Sequence, residues 1–276
     1  MPELPEVEWA ARQLRRWLID RRVERVACDP RARRLFRPGT PAGFAAALRG
    51  ARVTAVARHG KQLLFTLATA RGPLGLNAHL GMTGKWGRRV AGTPAPAHAR
   101  LTLTLDDGGR VDYDDPRMFG RLRLVPGARF DTWPDLAALG PDPLAAPIDL
   151  ERLRARLAAT RRAVKVALLD QSLLAGIGNI HASEACWRAR LDPRRRGDSL
   201  APAEVARLAR AIRASLRFGL AGLDVPEIEY IEEGGDNPFH VYDRQGGRCR
   251  HAGCGGLVRR LVQAQRSTFW CRGCQA

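Results

Sequence analysis

Four cysteines near the carboxyl end constrain this chain more than any other feature. Cys249 and Cys254 are separated by four residues and Cys271 and Cys274 by two, with residues 255–270 between the pairs. Two close thiol pairs at this spacing form a metal-ligand pattern, and four thiolates suit zinc in a closed tetrahedral site. Between them, Leu257–Val262 and Thr268–Trp270 read as strands around a tip at Gln263–Ser267, so the segment is expected to be a metal-held β-hairpin. A unit this small depends on its metal to fold. With cysteine at every ligand position nothing is left for catalysis, and the expected cofactor is one structural Zn2+. His251 lies inside the first pair and is a competing ligand. Two disulfides are the other reading, but the remaining cysteines, Cys28 and Cys186, stand apart, and the usage fits a reducing compartment.

Nothing in residues 1–20 looks like a secretory leader, and no stretch is apolar and long enough to span a bilayer. The expected location is therefore cytoplasmic. Lys and Arg together number 46 against 28 Asp and Glu, a formal charge of +18. All but Lys61, Lys85 and Lys165 of these cations are arginines. The excess is spread along the chain, which favours a folded protein with a polyanion-binding face, most simply nucleic acid. An arginine-rich solvated surface accounts for part of it.

Leu4–Asp20 reads as a helix with Pro5 in its first turn and acidic residues at 3, 6 and 8, which suit the positive end of its dipole. Short β-type runs follow at Val23–Cys28, Arg52–Ala57, Lys61–Leu67 and Leu74–Asn77, with a short helix at Phe44–Leu48. Leu101–Leu105 alternates strictly and turns through Asp106-Asp107-Gly108-Gly109 into Arg110–Tyr113; Arg121–Val125 comes next. One helix and many short strands suggest a β-sandwich over 1–135. Gly127–Pro147 is rich in Pro and Gly, holds no periodic pattern, and reads as a boundary. Helices are then expected at Ile148–Arg156, Arg161–Gln171, Asn179–Arg190 and Pro202–Phe218, within a helical domain at 148–235. The cysteine unit occupies 236–276. The fold class is α+β.

The chain opens Met1-Pro2-Glu3-Leu4-Pro5-Glu6. Removal of Met1 would leave Pro2 with a secondary amine. An α-amino group titrates near pH 8, so a useful fraction is neutral and able to form an iminium with an aldehyde-like carbon. Glu3 stands beside it as a proton donor or acceptor. Taken alone, the same residues are simply a helix start. Three further blocks stand out: Arg58–Leu63 around Lys61, the Gly-rich turn His79–Gly84 exposing Met82, and the turn Asp115–Gly120 exposing Arg117 and Phe119. In Ala175-Gly176-Ile177-Gly178-Asn179, the glycines allow close backbone approach. Asn179 sits at a helix amino end, where free N–H groups attract phosphate. His181 reads as a helix-surface or packing histidine.

These blocks together resemble the formamidopyrimidine-DNA glycosylase and endonuclease VIII family over nearly the whole length, most closely formamidopyrimidine-DNA glycosylase. The resemblance identifies Leu168–Glu184 as a helix–two-turns–helix and Gln265–Gln275 as the family's zinc-finger ending. It implies a bifunctional DNA glycosylase and AP lyase that removes oxidised bases such as 8-oxoguanine and formamidopyrimidines from duplex DNA. Pro2 would be the nucleophile, Glu3 the acid, Glu6 a positioning group, and Lys61 a cation near the lesion. Flipping a base out of the stack needs something to fill the gap; Met82, Arg117 and Phe119 would do this. Lys61, Asn179 and Arg266 would grip phosphates. The implied partner is duplex DNA carrying damaged bases or abasic sites, with no membrane or protein partner and a monomeric chain. The chain departs from the family at Met118, where a basic residue is common. It departs again at Gly219–Pro226, which lacks the usual lesion-capping pattern, and at the first cysteine pair, which commonly has two intervening residues. An endonuclease VIII-like preference for oxidised pyrimidines, a DNA binder without catalysis, and an RNA-binding zinc ribbon are the rival readings.

Overall fold

The computed structural model describes all 276 residues except Met1, Ala91, Pro226, Glu232 and Glu233. The supposed loss of Met1 and the end of the Gly219–Pro226 segment therefore lie outside the described residues. Chain contacts divide the protein into two compact units. The first holds Pro2, Glu6–Ala137 and the segment Val225–Gly234; the second holds Glu3–Pro5, Ala138–Asp224 and Gly235–Ala276.

In the first unit, helix α1 (Leu4–Leu18) buries Val7, Ala10, Ala11, Leu14 and Leu18, a 3.6-residue stripe. It stops two residues earlier than the sequence pattern suggests, because Asp20 takes a left-handed φ of 63° and its N–H turns to the Val53 carbonyl. Strands β1 (Val23–Cys28), β2 (Arg52–His59), β3 (Gln62–Thr69) and β4 (Gly72–His79) follow, with α2 (Pro41–Leu48) between β1 and β2. Next come β5 (Lys85–Arg89), β6 (Ala99–Leu105), β7 (Arg110–Asp114), β8 (Arg121–Pro126) and the one-turn α3 (Pro134–Ala137). The strands form two antiparallel four-stranded sheets, ordered β1-β6-β7-β5 and β2-β3-β4-β8. Phe65 of β3 meets Trp86 of β5 at 5.6 Å between ring centroids, and Trp86 meets Tyr113 of β7 at 5.0 Å, so these aromatics join the two sheets into a sandwich.

Two elements of this unit escape the sequence pattern. Strand β5 has no clean alternation, since Trp86 is its one large apolar residue and Gly87 follows it, and pairing with β7 makes it a strand. A 3-10 stretch at Pro30–Phe36 is started by Asp29, whose side chain accepts the Arg31 N–H.

The second unit contains α4 (Leu150–Ala158), α5 (Val164–Leu168), α6 (Asn179–Arg188) and α7 (Pro202–Ala221) around a core that includes Leu157, Leu168, Ile177, Cys186, Leu208 and Ile212. Leu4, at the start of α1, belongs to this core. Helix α5 is much shorter than the Arg161–Gln171 expected. Val164 N–H bonds to the Arg195 carbonyl, which holds the chain extended before it. After it, the Asp170 carboxylate accepts from both the backbone N–H and the hydroxyl of Ser172, making a turn. The hairpin β9 (Val258–Gln263) and β10 (Arg266–Cys271) closes through Ala264 and Gln265, with left-handed φ of 45° and 59°. Its tip is thus two residues, and Arg266 opens a strand rather than sitting in a five-residue loop.

Glu184, on α6, ties the approach to the cysteine unit to the helical core. It is fully buried, and its carboxylate accepts the backbone N–H groups of His240 (2.9 Å), Val241 (2.7 Å) and Tyr242 (3.1 Å) and faces His240 Nδ1 at 3.0 Å. Burial alone would raise its pKa; the bonds from His240, Val241 and Tyr242 outweigh it and hold the carboxyl below its usual 4.5. A lowered pKa means stability that is present above pH 4.5 and fades as pH falls through the native value. Glu184→Gln should therefore cost roughly 1.5–3 kcal/mol at neutral pH. Denaturant titrations should show the gap between the two proteins narrowing below pH 4.5.

Candidate functional site

Glu3 is fully buried at the amino end of α6. Its carboxylate accepts N–H groups from Gly178 (3.0 Å), Ile180 (2.8 Å) and His181 (3.2 Å). A helix start leaves such donors without partners, and its dipole favours an anion there. The glycines serve this closeness. A Cβ on Gly178 would collide with the Glu3 carboxyl carbon, and one on Gly176, whose φ is +93°, would press on Leu4. The sequence suggests these N–H groups for phosphate; in the structure three of them hold the chain's own third residue. Pro2, also buried, immediately precedes Glu3, and Glu6 is half-buried in the first turn of α1.

Asn179 opens α6 with both ends of its side chain engaged. Its Oδ1 accepts from Lys165 Nζ at 2.5 Å, and its Nδ2 donates to the Ser267 carbonyl at 2.8 Å. The second bond links α6 to β10 beside Arg266, which is exposed. Asn179 is thus a bracket between the helix start and the hairpin. Lys165 is fully buried; burial pushes its pKa down to about 8, the Arg266 charge adds to this, and Glu3 acts against it. Sequence reasoning missed Lys165, whose single cue was being one of only three lysines among 46 basic residues. His181 is buried rather than on the helix surface, with Nδ1 2.8 Å from Ser215 Oγ and its ring edge-on to Phe239.

The other predicted residues belong to the first unit. Lys61 sits at the tip of the β2–β3 hairpin, between His59 and Gln62, which pair. Met82 and Phe119 are 36% and 47% exposed, unusual for large apolar side chains, and Arg117 is exposed beside Phe119. The guanidiniums of Arg117 and Arg34 lie 4.8 and 5.3 Å from the Phe119 ring centre, and Arg34 also donates to the Arg117 carbonyl. Beneath both turns lies Asp115, fully buried. Its Oδ1 accepts from Thr83 Oγ1 (2.8 Å) and Met118 N (3.1 Å), and its Oδ2 from Gly120 N (2.8 Å). His79 accepts the Gly81 N–H at Nδ1, 3.0 Å away, and burial, with Arg121 and Lys61 adding to it, lowers its pKa to about 4. The imidazole therefore stays neutral at physiological pH and keeps its acceptor nitrogen.

The sulfurs of Cys249, Cys254, Cys271 and Cys274 all lie within 4.8 Å of one another, and this cluster could hold a metal ion. Cys249–Cys274 and Cys254–Cys271 are each 3.7 Å apart. Tetrahedral zinc with Zn–S near 2.3 Å requires sulfurs about 3.8 Å apart, so the donor set fits. His251 stacks on Trp187 at 3.8 Å and places Nδ1 3.1 Å from Cys274 Sγ, alongside a ligand rather than in place of one. Trp187 Nε1 donates to Cys249 Sγ at 3.3 Å.

Comparison with known proteins comes to the same place. Residues 1–122 match the family described as formamidopyrimidine-DNA glycosylase N-terminal domain, and residues 139–225 match its H2TH domain. A formamidopyrimidine-DNA glycosylase of Rhodopseudomonas palustris is 38% identical over 303 aligned positions covering all of both chains. The structure of the Lactococcus lactis Fpg in complex with abasic-site DNA superposes with a TM-score of 0.86 at 27% identity, covering 100% of each chain. That of the Thermus thermophilus MutM (Fpg) protein gives 0.80 at 37%, covering 99% of this chain and 98% of the other.

Gly178→Ala is expected to displace the Glu3 carboxylate from its three donors. Leaving buried N–H groups and a buried carboxylate unpaired should cost about 3 kcal/mol or more. Thermal unfolding of the variant beside Gly255→Ala, where a Cβ meets nothing within 4 Å, isolates the effect.

Proposed function

The chain belongs to the formamidopyrimidine-DNA glycosylase family and is a DNA glycosylase of base-excision repair, and on that premise we propose that Pro2 is its nucleophile. The observation that carries the proposal is the seating of Glu3: three N–H groups fix the residue next to Pro2, so the amino terminus is set in place rather than left to fray. Catalysis gains from a nucleophile whose position is fixed in advance.

In the proposed reaction the Pro2 nitrogen attacks C1′ of the damaged nucleotide, and the C1′–N bond breaks as the base leaves with the bonding pair and takes up a proton. Glu3 takes up the proton that the Pro2 amine gives off and passes it to the ring oxygen, the sugar opens, and an iminium joins Pro2 to C1′. The iminium acidifies C2′; loss of that proton expels the 3′ phosphate, and a second elimination expels the 5′ phosphate. Glu6 orients the amine and its protons. Met82 fills the space of the flipped base while Arg117 and Phe119 face the orphaned partner, and Lys61, Asn179 and Arg266 hold backbone phosphates. Asn179 would do so through the surface it braces, since its side-chain amide is already engaged. The preferred lesions are oxidised purines and formamidopyrimidines.

In this reading residues 1–135 carry the nucleophile and wedge, 148–235 the helix–two-turns–helix, and 236–276 the zinc finger, in a monomeric, cytoplasmic protein. Zinc, when bound by the four cysteines, supplies shape alone. Among the described residues no helix is long and apolar enough to cross a membrane.

Borohydride should trap a covalent adduct on duplexes containing 8-oxoguanine, and Pro2→Gly should abolish it. Trapping on an oxidised pyrimidine alone would select the endonuclease VIII-like specificity, and no adduct even on an abasic-site duplex would refute the lyase. Elemental analysis should find one zinc per chain. Cys271→Ser should lose the metal and weaken DNA binding by tenfold or more, because the hairpin bearing Arg266 loses its support.

A further inference from the structure

Val225–Gly234 follows the helical part of the chain, yet by its contacts it belongs to the β-sandwich unit. Its attachments there are specific. Ile228 and Tyr230 are buried, 3% and 4% exposed. Glu227 makes a two-pronged ion pair with Arg89 of β5, at 3.0 and 3.1 Å. The Tyr230 hydroxyl donates to the Gly84 carbonyl at 2.8 Å.

Gly84 is the last residue of the Met82 turn and directly precedes β5. Its own N–H bonds to the Leu80 carbonyl at 2.9 Å, and a Cβ there would overlap both that oxygen and the Tyr113 hydroxyl. Gly84 is therefore closely packed. One residue earlier, Thr83 donates to Asp115, which in turn holds Met118 and Gly120 on either side of Phe119. Gly81, preceding Met82, lies so close to the Phe119 backbone that a Cβ would collide with it. Tyr230 thus holds Gly84 through a buried hydrogen bond, and the adjoining Thr83 is held by Asp115 through a part-buried one, so the two residues that follow Met82 are anchored next to each other.

We propose that Glu227–Tyr230 is a strap that fixes the base-displacing turns, and that Tyr230 is a positioning residue acting on Met82 through the Gly84 carbonyl. The proposal rests on the reading of Met82 as the wedge. A wedge works only if it stays rigid while it replaces a stacked base, and a turn of Gly-Met-Thr-Gly has little stiffness of its own. Tyr230 at Gly84 and Asp115 at Thr83 supply that stiffness. Arg89–Glu227, with side chains 29% and 46% exposed, contributes less than the buried hydroxyl and serves to seat the strap along β5.

Tyr230→Phe keeps the ring and deletes the donated bond. Three measurements decide the matter. In single turnover, excision of an oxidised base from duplex DNA should slow about fivefold, as loss of one net hydrogen bond implies. Incision at an abasic site in single-stranded DNA, where no base is displaced from a duplex, should stay within about twofold of wild type. In the free protein, hydrogen–deuterium exchange across residues 80–86 should rise, and Glu227→Gln should shift both readouts the same way by a smaller amount. Equal slowing of both reactions would make Tyr230 merely structural and overturn the proposal, as would unchanged exchange or unchanged excision. If the wild-type protein excises no lesion, the functional reading fails, and exchange across 80–86 alone then decides the strap.

Discussion

A carboxylate at a helix start organises the helical unit of this protein. Glu3 takes the place that a capping side chain, water or a bound anion would otherwise fill at the amino end of α6, and it reaches there from the far end of the sequence. Several features follow from that one contact. Gly178 must lack a side chain because the carboxyl group occupies its Cβ space, and Gly176 must turn left-handed to pass Leu4. Leu4 joins the helical core as the next residue along. Asn179, whose neighbours' N–H groups are committed to Glu3, turns its side chain to Lys165 and Ser267 and so ties the same helix start to the β9–β10 hairpin.

Helix α6 repeats this chemistry one turn and a half further on, with the direction reversed. There the helix supplies the carboxylate, Glu184, and the irregular segment His240–Tyr242 supplies the N–H groups. In each case a buried charge is made tolerable by several backbone donors, the arrangement that lets an anion leave water at modest cost. The turns of the sandwich unit follow the same rule: Asp115, buried without a basic side chain at its carboxylate among the hydrogen bonds described, is satisfied by N–H and hydroxyl groups and sets the shape of two loops. Three buried acidic residues, each accepting backbone N–H groups, thus fix the α6 start, the His240–Tyr242 segment and the two sandwich turns. Many arginines meanwhile pair with surface acids, as Arg195 does with Glu204 and Arg162 with Asp170, so the count of 46 basic residues overstates the cations left to face DNA, while the net +18 already allows for the acids.

The sequence made the repeating elements legible, and the reasons are local. Leu101–Leu105 alternates because one face of β6 meets the sandwich core; α1 shows a 3.6-residue stripe because one face of the helix is buried. Both periods survive without knowledge of partners. Strand β5 was not legible, since only β7 makes it a strand, and α5 ended early because Asp170 and Ser172 prefer to bond each other. Among the candidate site residues, the cysteine quartet could be read from spacing, and Pro2, Glu3, Met82, Arg117 and Phe119 from motifs. Lys165, Asp115 and Tyr230 were not legible, since each matters through a contact spanning between 14 and 146 residues of chain.

By itself, then, the sequence determined most of the repeating elements, the candidate metal-ligand set and the family, because period, spacing and motif are properties of neighbouring residues. Tertiary structure alone decided what the glycine-rich helix start binds, which side chain Asn179 holds, and that the Tyr230 hydroxyl meets the Gly84 carbonyl. Those are pairings between groups far apart in sequence. A hydrogen bond is chosen by which donor and acceptor the fold brings within about 3 Å, and no local pattern encodes that distance.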